Sequence, residues 1–189
     1  MTKKDVIKNL KEYLDNYNIS YETAIDNGCI QLRMAFFADN APDRHVESCI
    51  WFYKEFAELR CYYTSLGAQI CKNSKYKSRL LRLINFINAR VYLACGDPNG
   101  LYEPHILYTP RMYMTEDDCF DITVTTMINY NFAEATPIET FDYITSYNPE
   151  LLDCLAYPIF GVLFGTITEE DAIAYIKQNI LQDNEACCN

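Results

Sequence analysis

Leu80-Leu81-Arg82-Leu83-Ile84-Asn85-Phe86-Ile87-Asn88 lies within the stretch that decides the fold, residues 73–130. Leu80, Leu81, Leu83, Ile84, Phe86 and Ile87 give a helix an apolar surface broad enough to need cover on more than one side. Arg79, Arg82, Asn85 and Asn88 form the polar stripe that remains. Asn73 or Ser74 is the expected cap, and the helix reaches about Arg90. Val91–Cys95 then reads as a short strand, and Gly96-Asp97-Pro98-Asn99-Gly100 as a tight turn. His105–Thr115 follows as a strand, which Pro110 confines to an edge or a bulge because proline cannot donate to a ladder. Phe120, Ile122, Val124 and Ile128 alternate with Asp121, Thr123, Thr125 and Asn129, the pattern of a strand with one dry face.

Working outward, Val6, Ile7, Leu10, Leu14 and Tyr17 share one face of a helix over about residues 4–17, with Lys4, Lys8, Lys11 and Asp15 largely opposite. Asp26-Asn27-Gly28 is a hairpin turn. In Cys29–Phe37, Ile30, Leu32, Met34 and Phe36 alternate with Gln31 and Arg33. Ala38–Asp43 is a loop, and Ser48–Lys54 with Ala57–Ser65 forms a second hairpin. There Leu59, Cys61 and Tyr63 point one way, and Glu58, Arg60, Tyr62 and Thr64 the other. Cys49–Tyr53 lacks clean alternation and fits a strand covered on both faces, with Trp51 in the core.

Beyond Phe132 the pattern turns helical. Thr136-Pro137-Ile138-Glu139 reads as a capping box opening a helix that buries Phe141, Ile144 and Tyr147 and stops or kinks at Asn148-Pro149. A short helix follows, interrupted by Pro158 and closed near Gly165. Thr168-Glu169-Glu170-Asp171 opens a last helix through Ile180. The expectation is a single α+β domain over residues 1–189, an antiparallel sheet flanked by helices, with a C-terminal helical extension over about 136–181.

Half of the 189 residues are apolar and 22% are charged, a globular balance. The net charge of −10 is unevenly placed: residues 1–71 carry −2, residues 72–114 carry +5 and residues 115–189 carry −13. Such acidity excludes nonspecific nucleic-acid binding, which needs a basic footprint. The nine cysteines are odd in number and form no C-x-x-C pair, and Met1–Asp5 leads into an amphipathic segment rather than an apolar signal core. Reduced thiols in the cytoplasm are therefore expected. The longest uncharged apolar run, Cys154–Ile167, is too short to cross a bilayer, so no membrane partner is expected.

Little in the chain points to catalysis. His45 and Cys49 are four apart and His105 is the other histidine, too few for the paired ligands a zinc site needs. Glu116, Asp117, Asp118 and Asp121 lack the glycine and spacing of a calcium loop and read as a solvated turn. No phosphate-cradling or nucleophile-elbow motif is present. No catalytic residue, metal or cofactor is assigned. What remains is the wet face of the sheet, with Gln31, Arg33, Arg60, Tyr62, Thr123 and Thr125. Arg33, Arg60, Tyr62, Thr123 and Thr125 are the candidate binding residues, since Arg and Tyr combine polar and apolar contact at interfaces. The rival reading is a small-molecule pocket between the sheet and the 73–90 helix, lined by Asn85, Asn88 and tyrosines; against it, Asn85 and Asn88 would satisfy backbone groups at the helix end. A homodimer is expected, because an exposed sheet edge is readily completed by a second copy.

The order helix, strands, helix, strands, helix resembles the type III secretion chaperone-like fold, and within it the YbjN-like family of bacterial regulators. The resemblance rests on Leu80–Asn88, the strand at 91–95, the Gly96–Gly100 turn and the strand after it. Pro158–Leu163 and Thr168–Tyr175 are similar to that family's C-terminal end. The long acidic C-terminal third and the abundant cysteines depart from it. The resemblance implies a non-enzymatic, often dimeric module that presents a sheet and helices to protein partners.

Overall fold

The computed structural model describes residues 1–91 and 108–181. The turn expected at 96–100, the strand expected at 91–95 apart from Val91, and the first residues of the strand expected from His105 lie outside them. The elements run α1 (Lys3–Asn16), β1 (Glu22–Asp26), β2 (Cys29–Phe37), β3 (His45–Phe52), β4 (Phe56–Tyr63), α2 (Ser65–Asn73), α3 (Lys77–Arg90), β5 (Arg111–Met114), β6 (Ile122–Asn129), α4 (Tyr130–Ala135), α5 (Pro137–Asp142), a π-turn (Tyr143–Tyr147), α6 (Asn148–Phe164) and α7 (Glu169–Asn179). The six strands form one antiparallel sheet in the order β1-β2-β3-β4-β6-β5. This is the α+β architecture expected, an antiparallel sheet flanked by helices. No described helix is long and apolar enough to cross a membrane.

Local chemistry explains most boundaries. Asn27 and Gly28 take positive φ of 49° and 76°, the geometry of a two-residue hairpin turn whose twist matches its strands. Thr2 with Asp5 and Thr168 with Asp171 form full capping boxes at α1 and α7. Gly165 closes α6 in the left-handed region at φ 71°. Pro110 directly precedes β5, which lies at the sheet edge.

One core joins the layers. Leu10 and Leu14 of α1, Leu80 and Leu83 of α3, and Leu152, Leu155 and Ile159 of α6 are buried with Leu32, Val46, Ile50, Leu59, Ile122 and Val124 from one face of the sheet. Tyr63 crosses this interface and donates a hydrogen bond to the Leu152 carbonyl at 2.6 Å.

Five local expectations are corrected. Residues 65–73 are helical, where a strand was expected to run to Ser65; Gly67 lets this short helix approach the sheet so closely that an added Cβ would lie 2.5 Å from that of Tyr63. The N-cap of α3 is Tyr76, not Asn73 or Ser74, because the Ser74 hydroxyl instead accepts from the Tyr76 N–H and donates to the Leu163 carbonyl. Thr136 forms no capping box, since its hydroxyl donates back to the Phe132 carbonyl. A helix does start at Asn148-Pro149, with proline in its first turn where the missing N–H costs least, but it is neither short nor interrupted: α6 runs 17 residues to Phe164 with Pro158 inside it. Leu81 is 44% exposed, outside the buried surface of α3.

Candidate interaction face of the sheet

Register decides which side chains share the face opposite the core. Glu22, Arg33, Cys49, Arg60, Thr125 and Arg111 stand successively opposite one another, one from each strand across the whole sheet. The next row holds Ala35, Glu47, Tyr62, Thr123 and Tyr113, and the row on the other side holds Ala24, Gln31, Trp51, Glu58 and Met127. All five sequence-derived candidates therefore share one face, in two adjacent rows.

Their accessibility differs. Arg33 is exposed, Arg60, Tyr62 and Thr125 are half-buried, but Thr123 is only 2% exposed and Gln31 1%. Period-two alternation assigns a side of the sheet, but it is silent on cover by neighbours. Thr123 lies between the half-buried rings of Tyr62 and Tyr113, its partners in the row, and drops out as a contact residue.

The arginines are held in place. Arg33 Nε and Nη2 both donate to Gln31 Oε1, at 3.1 and 2.9 Å, and Gln31 Nε2 donates to Asp26 Oδ2 at 3.2 Å. Arg60 Nε donates to Glu58 Oε1 at 2.7 Å, and its guanidinium carbon stands 4.9 Å from the Trp51 ring centroid. Trp51 is therefore not in the core but half-buried on this face, as a platform for Arg60. Stacking and a single Nε bond hold Arg60 while its side chain stays 39% exposed, an arrangement in which a guanidinium can receive a carboxylate. Apolar surface accompanies them: Met127 is 54% and Phe37 61% exposed. Between Arg33 and Tyr62 an open groove of about 410 Å³ is lined also by Tyr21, Glu22, Ala35 and Glu47.

The same geometry argues against covalent chemistry here. Cys49 sits between Arg33 and Arg60, whose charges favour a thiolate, yet burial outweighs them and pushes the thiol up to about 11. Cys61 is pushed up to about 12 and Cys71 to about 11, again by burial. His45 and Cys49 both lie on β3, and four residues of extended chain separate them by roughly 13 Å, too far for a nucleophile and base. Among the described residues no group of three or more His, Cys, Asp or Glu could hold a metal ion. The acidic turn is organised by its own hydrogen bonds: Thr115 Oγ1 donates to Asp117 Oδ1 at 2.6 Å, and the Cys119 N–H to the same oxygen at 3.1 Å.

Asn88 does something its place in the sequence did not reveal. Its amide nitrogen donates to the Met112 carbonyl at 2.8 Å, and its oxygen accepts from the Met112 N–H at 2.7 Å. The side chain thus acts as a strand partner for β5 and covers part of the sheet's outer edge. The cavity beside it, lined by Ile87, Val91, Pro110, Met112, Val124 and Leu151, has a volume of about 10 Å³, room for one water. Asn85 is exposed on the helix surface. The pocket expected from these two asparagines is not formed by the residues described.

Fold and face together define a class: an α+β protein whose sheet is covered by helices on one side and carries a fixed arginine–aromatic array on the other. No protein-family model, curated protein or solved structure matches the chain.

Proposed function

We propose that the protein is a non-enzymatic cytoplasmic protein-binding module, chaperone-like or regulatory, that docks its partner on the sheet face that no described helix covers. The observation that carries this reading is the cross-strand row in which Arg33, Arg60 and Arg111 alternate with Cys49 and Thr125 beside Trp51 and Tyr62. Pre-positioned guanidinium groups next to aromatic rings are what interface hot spots are made of. The partner is a protein segment bearing carboxylates among apolar side chains. A type III secretion chaperone-like, YbjN-like origin fits such a use and is part of the proposal.

A homodimer keeps one route in this proposal, a second copy seated on the same face. A different protein is placed there first, because each copy carries −10 and two copies repel. The edges offer less. Twofold pairing of β1 about Ala24 would set Glu22 opposite Asp26 of the second copy, and Asn88 covers β5 at Met112.

The test is quantitative co-purification from the native host with wild type, Arg60→Glu, Tyr62→Ala and the exposed control Lys54→Glu, each verified by its melting curve. The proposal expects one set of partners lost from both face variants and retained by the control. Equal recovery in all four rejects the face as the contact surface.

A further inference from the structure

The chain from Ser65 to Arg90 contains Lys72, Lys75, Lys77, Arg79, Arg82 and Arg90 and no carboxylate, in a protein whose net charge is −10. Several of these cations are committed. Lys77 Nζ donates to the Lys72 and Ser74 carbonyls at 2.6 and 2.7 Å, which ties the end of α2 to the start of α3. Lys72 Nζ donates to the Asp118 carbonyl at 3.0 Å, and Arg82 pairs with Glu169 at 2.5 Å. Lys75 and Arg79 are different. Both are exposed, and among the described residues no carboxylate pairs with either. They lie over the Tyr76 ring, 5.1 and 4.7 Å from its centroid. Tyr76 itself is fixed, because its ring presses on Gly165 so closely that an added Cβ there would meet Cε2 at 2.3 Å.

Beside this rim runs a groove of about 460 Å³ between α2 and the end of α6, lined by Ile70, Asn73, Lys75, Tyr76, Leu163 and Phe164. Leu163 is buried, whereas Phe164 is 59% exposed. Leu66, 38% exposed and one helical turn before Ile70, extends the apolar strip along α2.

We propose that this groove docks an acidic amphipathic helix of a partner protein. The apolar strip accepts side chains spaced at i, i+3 or i+4 and i+7, which is how helices seat in grooves. Lys75 and Arg79, which no carboxylate of the described residues pairs, meet carboxylates on the flank of that helix. The number of uncommitted cations is too small for the polybasic clusters that hold anionic lipid. The site belongs to the helical layer and does not rest on the sheet-face reading; occupied together, the two surfaces make the protein a bridge between partners.

The probe is a fluorescein-labelled peptide about five helical turns long, with Leu and Phe on one face and Glu on the other, read by fluorescence anisotropy against the full chain. Its controls are the same peptide with Lys for Glu, and vesicles of anionic lipid. Saturable binding of the acidic peptide is expected, weakened about tenfold or more by the double variant Lys75→Glu/Arg79→Glu and by Phe164→Ala. Lys54→Glu, the exposed control outside both surfaces, is expected to bind it with wild-type affinity, which separates this groove from a general loss of positive charge. Absence of binding, equal binding of the lysine peptide, indifference to both groove variants, or preference for the vesicles would each overturn the proposal.

Discussion

Replacing Asn88 by alanine tests how the sheet ends. Two hydrogen bonds of 2.8 and 2.7 Å would be lost, both to the main chain of Met112, a residue only 3% exposed. Each bond is worth about 1 kcal/mol net, and a poorly hydrated backbone group left without a partner adds to that, so the expected loss is about 2–3 kcal/mol. For a chain of this size it lowers Tm by roughly 4–12 °C. Urea unfolding followed by circular dichroism measures the loss, with an unchanged slope showing that the unfolded state is not at issue. Hydrogen exchange adds a local readout: the Met112 amide should exchange faster in the variant, while the amides of β3 at the sheet's centre keep their protection. Asn88→Asp keeps the acceptor but sets a carboxylate against the Met112 carbonyl, and is expected to do no better than alanine. A loss below about 0.5 kcal/mol, or unchanged exchange at Met112, would refute the idea that this amide stands in for a strand.

Gly165→Ala should destabilise by about 1–3 kcal/mol, since it puts a side chain at φ 71° and a Cβ 2.3 Å from Tyr76; a melting curve reads it, and Tyr76→Ala in the same chain should recover part of the loss. Asp5 and Asp171 are held below the usual carboxylate value of 3.8 by hydrogen bonds to Thr2 and Thr168, so their contribution is present above that value and is lost as the pH falls through the lower, folded one. The acid side of a stability–pH curve should accordingly be shallower in Asp171→Asn, and identical slopes would reject the assignment. Cys49, Cys61 and Cys71, with thiols pushed up to about 11, 12 and 11, should resist iodoacetamide at neutral pH far longer than the exposed Cys119, a difference that peptide mass spectrometry reads and that urea should abolish. Light scattering should report a monomer at micromolar concentration; a dimer that persists in Arg60→Glu would place self-association elsewhere than the sheet face.

Alternation and turn chemistry made the sheet legible. Ile30, Leu32 and Met34 against Arg33 set the orientation of β2, and Asn27-Gly28 set its pairing with β1, so the side on which Arg33 and Arg60 fall follows from the pattern alone. Two things were not legible. Helix α2 is nine residues long and carries a glycine chosen for close approach to Tyr63 rather than for helix propensity, so its local signal is weak. Side-chain competition was the other: Ser74 and Thr136 each look like a cap, and each spends its hydroxyl on a carbonyl, Leu163 in one case and Phe132 in the other. The second choice is local, but the first depends on an element 89 residues away in the chain, which no window of sequence contains.

The candidate face shows the same division. Composition of the face could be read from period two, but the row could not, because a row exists only once the register of five strand pairs is fixed. Register is what puts Cys49 between Arg33 and Arg60, and Trp51 within reach of Arg60. It also buries Thr123 beside two tyrosines while leaving Met127, four residues on along the same face, 54% exposed. The edges point the same way: Glu22 and Asp26 bracket one and Asn88 lies across part of the other, so strand addition at either end is opposed by charge or by an occupied main chain. Of the ways a sheet can engage another protein, contact across the face that no described helix covers is the one these side chains leave least opposed.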